Sequence, residues 1–227
     1  WTRRLGTGRS LHYVPWGVWP QGTSEKQRAD ARQALGIDAR SRVLLVFGVQ
    51  AIRRKHLDTL REALSALAPK KPLTLLFVGA SLEQEGHPFT DWQREGIEVR
   101  IVDGFIPENS VAEYFAAADG VWANYRTFPG ASGVLLQAMG FGRLSIASSE
   151  GEIGILCRQH NLGLMVDPTG VSHLKTILEE FIMMPAERQR AWERDIAATA
   201  MQYAWPNIAA QVLAKLDLDK IRNPLSV

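Results

Sequence analysis

The sequence is poor in the features that mark several protein classes. Its 227 residues include one cysteine, Cys157, so no internal disulfide can form, and this usage fits a reducing compartment. No apolar run approaches the roughly 20 residues that cross a membrane as a helix. The formal net charge of +2 is small, which argues against the concentrated basic face of a nucleic-acid-binding protein.

Familiar catalytic and cofactor motifs are missing as well. No G-x-G-x-x-G or Walker sequence follows the first predicted strand, and no serine lies in a G-x-S-x-G elbow. The five histidines are scattered, so the ligand spacing of a metal site is absent. We expect neither a metal nor a bound cofactor. The first residue is Trp1 rather than methionine, which suggests a fragment or a trimmed chain.

What is present is a regular alternation of buried apolar runs and amphipathic segments. This alternation predicts an α/β fold with a doubly wound parallel sheet, Rossmann-like, and a helical C-terminal extension. The predicted strands are 43–47, 73–78, 99–102, 121–124, 144–147 and 164–166. The predicted helices are 24–35, 57–67, 90–94, 110–118, 133–139, 153–160, 171–184, one from Pro185 and one after Pro206.

The same pattern divides the chain into three parts. Residues 1–22 form an irregular N-terminal segment and linker, with a short strand near 11–14. Residues 23–205 form the Rossmann-like domain, whose first helix opens with a capping box between Ser24 and Gln27. Residues 206–227 form a C-terminal helix. Arg3, Arg4 and Arg9 either contact an anionic lipid head group or a phosphate, or belong to a solvated tail.

The loop after the first strand of the sheet carries a concentration of positive charge. In doubly wound sheets, ligands bind beyond the carboxyl ends of the strands. The loop 48–55 leaves the strand through Gly48 and presents Arg53, Arg54 and Lys55 just before a helix. These cations can clamp phosphate oxygens. The alternative is a solvated charge run.

Three further loops supply weaker candidates. Gly79 is a small residue at a strand end. Phe105 and Ile106 lie where exposed backbone and an aromatic ring can meet a flat base. Arg126 precedes the next helix and can reach an anion at its start.

The stretch 129–151 reads as a loop, a buried helix, a glycine stop and a buried strand. Ser132, Gly133 and Val134 open the helix, and small residues there let a ligand approach free backbone N–H groups. The pattern therefore predicts either an anion site or a packed core helix with glycines for tight turns.

Eight short segments occur in a recognisable order within residues 11–205. They are Val14–Val18, Ala31–Ile37, Phe47-Gly48, Lys55–Leu60, Phe77–Gly79, Gly104–Pro107, Tyr114 with Ala117–Asp119, and Ser132–Ser148. This order resembles the carboxy-terminal, donor-binding domain of retaining GT-B glycosyltransferases of the glycosyl transferases group 1 family. The resemblance implies a nucleoside diphosphate sugar as substrate, bound without metal.

The resemblance also implies roles for individual residues. Arg53 or Arg54, with Lys55 and the helix start, would stabilise the leaving diphosphate. The family usually has two glutamates near the donor, and those positions are Pro129 and Gln137 here. Gln137 can still hydrogen-bond a ribose hydroxyl, whereas Pro129 offers only a carbonyl.

The resemblance implies a cytoplasmic glycosyltransferase with an unknown acceptor. Its N-terminal acceptor domain is expected to be missing from this chain. For the full-length protein, peripheral contact with a membrane is a further possibility. Two other hypotheses remain. One is a non-catalytic nucleotide-sugar-binding or regulatory domain, which Pro129 and Gln137 favour. The other is an unrelated doubly wound domain, such as a small dehydrogenase piece. We expect Cys157 to be a buried structural thiol.

Overall fold

A six-stranded parallel sheet organises the chain in this computed structural model, which describes residues 2–4, 10–12, 14–81, 87–167 and 170–215. An antiparallel pair of short strands precedes it. The strands are β1 (Thr2–Arg4), β2 (Ser10–His12), β3 (Arg42–Phe47), β4 (Leu73–Val78), β5 (Ile97–Val102), β6 (Gly120–Ala123), β7 (Leu144–Ser148) and β8 (Gly163–Val166). The helices are α1 (Glu25–Ala34), α2 (Leu57–Ser65), α3 (Glu108–Ala117), α4 (Gly133–Gly140), α5 (Gly151–His160), α6 (Val171–Met183), α7 (Ala186–Gln202) and α8 (Trp205–Lys215).

The strand order is β5-β4-β3-β6-β7-β8, so the order reverses between β3 and β6. One apolar core includes Phe77 and Trp122, and a second includes Phe47 and Phe115. Strands covered on both faces read as continuous apolar runs, which is why the central strands were predictable from the sequence. The prediction of a doubly wound parallel sheet is confirmed. Its switch point lies at the carboxyl ends of β3 and β6.

The helix predicted at 90–94 is wrong. The chain makes a turn there instead, with Phe89 buried and its ring 4.8 Å from that of Phe77. The Arg94 guanidinium donates to the Leu67 carbonyl at 3.0 Å. A helix of five residues is marginal by itself. These tertiary contacts therefore decide the conformation.

The start of α3 also differs from the prediction. The helix begins at Glu108 with Pro107 as its N-cap, and the Ser110 N–H donates to the Pro107 carbonyl at 2.9 Å. Ser110 therefore lies inside the first turn, and the capping box predicted there is wrong. The capping box of Ser24 and Gln27 at α1 is confirmed.

The remaining predicted elements end within a few residues of their predicted bounds. Near the N-terminus, β2 ends at His12, whereas Arg9 and Tyr13 lie outside the described residues, as does 216–227 of the predicted C-terminal helix. Cys157 is buried on α5, as predicted, and burial raises the pKa of its thiol to about 12. Of the described helices, none is long and apolar enough to cross a membrane.

Candidate functional site

A cavity of about 330 Å³ opens at the switch point of the sheet, beyond the carboxyl ends of β3 and β6. Its walls come from the loop after β3, the loop after β6 and the first two turns of α4. It is lined by Phe47, Gly48, Val49, Ala51, Arg54, Lys55, Tyr125, Phe128, Ser132, Gly133, Val134 and Gln137. The cavity therefore unites two of the three predicted loop cations with the predicted helix start.

Lys55 is the deepest charged group of this cavity. Its residue is 4% exposed, and its Nζ donates to the Phe47 carbonyl. Burial, with a smaller contribution from the neighbouring Arg54 cation, lowers the pKa of Lys55 to about 7. None of the ion pairs between described residues involves Lys55.

Arg54 and Arg53 point to different surroundings although both are exposed. Arg54 lines the cavity, and its guanidinium carbon lies 4.8 Å from the centre of the Phe128 ring and 6.0 Å from that of Tyr125. Such cation–π contacts orient an arginine without consuming its hydrogen-bond donors. Arg53 does not line the cavity. The geometry thus favours Arg54 where the sequence left both open.

The cationic loop is held in place by buried hydrogen bonds. The Gln50 amide nitrogen donates to the carbonyls of Val46 and Gly48 at 2.9 and 2.8 Å. The indole of the buried Trp122 donates to the Lys55 carbonyl at 2.7 Å, and the Arg126 N–H donates to the Arg54 carbonyl at 2.8 Å. The backbone around the two cations is therefore fixed by the core of the sheet.

The start of α4 forms the opposite wall. Ser132 is the N-cap residue, with φ 61° and ψ 116°, and its side chain accepts from the Leu135 N–H. A non-glycine residue with positive φ is uncommon and costs free energy that surrounding contacts must offset. The N–H groups of Gly133 and Val134 belong to the first turn, where a helix has no partners of its own. This wall can donate to an anion.

The exposure of α4 corrects one expectation. Leu135, Ala138 and Met139 are buried, whereas Gly133 and Gln137 are exposed and Val134 is half-buried. The helix is therefore not buried all round, because one of its faces forms the cavity wall. Gln137, expected from the resemblance to contact a ribose, is exposed and lines the cavity.

The two predicted glycines have different places. Gly48, with φ 81°, lines the cavity, and a side chain there would come within 3.9 Å of the Lys55 Nζ. Gly79, with φ 130°, does not line it. A Cβ on Gly79 would lie 2.4 Å from the Gly48 carbonyl oxygen, so Gly79 lets the two loops meet.

The other predicted residues lie outside the cavity. Phe105 is 90% exposed, and Ile106 packs against the second core. Arg126 is exposed, with its guanidinium 3.3 Å from the His56 Nδ1 and 3.7 Å from the Asp58 carboxylate. His56 itself is buried with φ 49°.

Sequence reasoning missed the aromatic wall of the site. Tyr125 and Phe128 line the cavity with their ring centres 5.3 Å apart, and the Arg54 guanidinium packs against both rings. Their position on either side of Arg126 in the loop after β6 was the available signal. In the described part of the chain, no group of three or more histidine, cysteine, aspartate or glutamate side chains is placed to hold a metal ion.

Comparison with known proteins gives one family and a set of similar folds. Residues 41–182, more than half of the chain, match the family described as glycosyl transferases group 1. A search of curated proteins found no match.

Three solved structures illustrate the likeness of fold. The first is WaaG, a glycosyltransferase involved in lipopolysaccharide biosynthesis, with 22% identity, TM-score 0.66, and 89% of this chain aligned to 56% of that one. Anabaena HepE in complex with UDP and glucose has 24% identity, TM-score 0.66, and coverages of 86% and 54%. The C-terminal domain of a Francisella tularensis group 1 glycosyl transferase, LpcC, has 16% identity, TM-score 0.56, and coverages of 82% and 96%. The chain thus spans about half the length of the first two proteins.

Proposed function

This chain belongs to the glycosyl transferases group 1 family, and from that premise we propose that residues 23–205 form the donor-binding half of a glycosyltransferase. The substrate is a nucleoside diphosphate sugar, whose diphosphate occupies the cavity between the loop after β3 and the start of α4. The observation that carries the proposal is the buried Lys55 amino group, which faces this cavity with no carboxylate partner among the described residues. A buried cation without a counter-ion is costly unless a ligand supplies one.

The charges and donors of the cavity suit a leaving diphosphate. When the bond between the sugar and the diphosphate breaks, negative charge develops on the diphosphate oxygens. Arg54, Lys55 and the N–H groups at the start of α4 surround the place where that charge forms. Donors fixed in advance need no reorganisation during the reaction. The acceptor, whose identity is open, would arrive from outside this domain.

The structural relatives support the choice of ligand. Anabaena HepE has been crystallised with UDP and glucose, and also with UDP-glucose. For the present chain we propose that Gln137, at the cavity rim, contacts the ribose and that Phe105 and Ile106 contact the base.

A second candidate function is nucleotide-sugar binding without catalysis. No carboxylate of the part of the chain that the structure describes lines the cavity, and Gln137 and Pro129 occupy the positions where the family resemblance leads one to expect glutamates. A binding domain would retain affinity for the donor and show neither transfer nor hydrolysis of its sugar. Assay of donor turnover by the full-length protein separates the two candidates.

The binding test is calorimetry with UDP-glucose, GDP-mannose and ADP-glucose, each with and without EDTA. We expect one of them to bind with an affinity that EDTA leaves unchanged, since cations and N–H groups neutralise the diphosphate. Lys55→Met should weaken that binding by about 10-fold or more, because a charge-assisted hydrogen bond is worth about 1.5–3 kcal/mol.

Lys71→Met is the matched control, since Lys71 is exposed and does not line the cavity. Absence of binding by all three nucleotide sugars, or strict dependence on a divalent metal, contradicts the proposal.

A further inference from the structure

A lysine side chain is charged in most proteins at neutral pH, but the surroundings of Lys55 disfavour the charge. The residue is 4% exposed, and one carbonyl, that of Phe47, accepts from its Nζ. A buried ammonium normally pairs with a carboxylate or loses its proton. Because Lys55 has no ion pair to a described residue, its burial favours loss of the proton.

The charged groups around Lys55 do not supply the missing counter-ion. Arg54 is in the same cavity and repels a second cation. On the α2 side, the Asp58 carboxylate lies near Arg126, and both side chains are half-exposed. His56 adds no anion, and Glu150, ahead of α5, acts on His56 rather than on Lys55.

The remaining wall is α4, whose contribution carries no charge. Gly133, Val134 and Gln137 line the cavity from that side, together with the Ser132 hydroxyl. The rings of Phe47, Tyr125 and Phe128 also line the cavity, and burial raises the pKa of the Tyr125 phenol, which therefore supplies no anion. No group of the described cavity wall therefore offsets the Lys55 ammonium, and an incoming anion would be its first counter-ion.

We propose that Lys55 is held as a neutral amine in the ligand-free protein, because it is buried without an ion pair to a described residue, and takes up one proton when a diphosphate enters the cavity. The inference rests on the proposed function, because it concerns the same ligand. The amine gains a proton from solvent and becomes an ammonium, while no bond of the ligand is made or broken. Its consequence is that donor binding is coupled to pH through this one side chain.

The direction of the coupling follows from linkage. Burial lowers the pKa of Lys55 to about 7 in the free protein, and two phosphate charges beside the ammonium favour its protonated form. Between these two pKa values, binding takes up close to one proton. Affinity for the donor then falls as the pH rises, by up to about 10-fold per pH unit.

Calorimetry with the panel of UDP-glucose, GDP-mannose and ADP-glucose tests this coupling. The diphosphate of each is a diester, so the ligand itself does not titrate between pH 6.5 and about 8.5. Titrations at pH 8 in PIPES and in Tris, which differ in ionisation enthalpy, give the number of protons taken up. We expect nearly one proton for the wild type and none for Lys55→Met. Binding heats that are independent of buffer at pH 8 overturn the inference.

Nuclear magnetic resonance of the free protein supplies an arm that needs no ligand. Lysine side chains carrying ¹³C at Cε report each titration, and Lys55→Met identifies the Lys55 signal. We expect its midpoint near pH 7, several units below the ordinary lysine value. A Lys55 midpoint near the ordinary lysine value overturns the inference even where a nucleotide sugar binds. A midpoint near 7 with no binding by the whole panel removes the proposed function, and with it the coupled uptake.

Two neighbouring arginines provide matched variants. Arg54→Gln removes the like charge from the cavity and should raise the Lys55 midpoint. Arg53→Gln removes the same charge from a side chain that does not line the cavity and should leave the midpoint unchanged. Equal shifts from both variants would show that the cavity geometry does not control the amine.

Discussion

The two edges of the central sheet both bury cations, but they do so in opposite ways. At the amino-terminal edge, Asp119 accepts from Arg28 at 2.9 Å, from Arg32 at 2.6 Å and from the Val43 N–H at 2.8 Å. At the carboxyl-terminal edge, the Lys55 Nζ donates to a carbonyl and has no anionic partner among the described residues. The first edge pairs its charges within the protein, and the second leaves the Lys55 amino group without a counter-ion among the described residues.

The paired edge extends well beyond Asp119. Glu193 of α7 accepts from Arg28 at 2.6 Å and from Arg143 at 3.0 Å, so two carboxylates tie α1, α7 and the start of β7 together. Although burial opposes ionisation of Asp119, the nearby arginines lower the pKa of its carboxyl. The charges of these side chains are balanced within the protein, and we infer that the contacts stabilise the fold. Burial of a cation therefore indicates binding only where its counter-ion is missing.

Asp119→Asn should have the largest effect, because it turns the paired edge into an unpaired one. Arg28 and Arg32 would keep their buried charges and lose a partner, and breaking a buried ion pair costs about 3–5 kcal/mol. Urea unfolding followed by circular dichroism measures the free energy of unfolding. Donor affinity at the opposite edge should stay unchanged in the folded variant.

Asp38→Asn serves as the control for this loss. Asp38 also pairs with an arginine, Arg40, at 2.9 Å, but both groups are on the surface. Exposed pairs are screened by solvent. We expect no measurable shift of its unfolding midpoint. A loss below about 1 kcal/mol for Asp119→Asn would contradict the structural role of the network.

Lys55→Met should change stability in the other direction. Because the pKa of Lys55 is about 7 in the fold and about 10.4 in an unfolded chain, the unfolded state binds more protons between these values. Wild-type stability from this group therefore rises with pH in that window. At pH 7 the methionine variant should be more stable by about 2–4 kcal/mol, and the advantage should shrink by up to about 1.4 kcal/mol per pH unit.

Urea unfolding at pH 7.0, 7.75 and 8.5 measures this difference, with Lys71→Met as the exposed control. Cys157 is present in both proteins, so the ionisation of its thiol cancels in this difference. A less stable Lys55→Met protein, or a difference that does not vary with pH, would remove the contrast between the two edges.

The sequence determined the sheet better than it determined the loops. Strands such as Leu73–Val78 were predictable because burial on both faces requires a continuous apolar run. The turn around Phe89 was misread, because its conformation depends on Phe77 and Leu67, which lie elsewhere in the sequence. A local pattern contains no information about such partners.

The same distinction holds for the charged residues. The cations of the loop 48–55 were visible as candidates, since the loop follows a strand of the sheet. Their ranking was not visible, because packing on Phe128 places Arg54 at the cavity and leaves Arg53 outside it. The partners Arg28 and Glu193 are 165 residues apart, so no spacing predicted the network at the other edge.

Gln137→Leu should have the smallest of these effects. It tests donor binding at the carboxyl-terminal edge, where Lys55 lies. Gln137 is exposed and lies between the Lys55 cavity and a second cavity of about 240 Å³ lined in part by Trp19, Phe141 and Trp205. Loss of one neutral hydrogen bond to a ribose costs about 0.5–1.5 kcal/mol, which corresponds to a 2- to 10-fold weaker donor affinity. Stability should change by less than about 0.5 kcal/mol, because the side chain is not buried. Gln33→Leu, an exposed glutamine of α1, is the matched control, and calorimetry with the nucleotide sugar that binds is the measurement. Equal affinities for the two variants would show that the ligand is held by the cations and the helix start without Gln137.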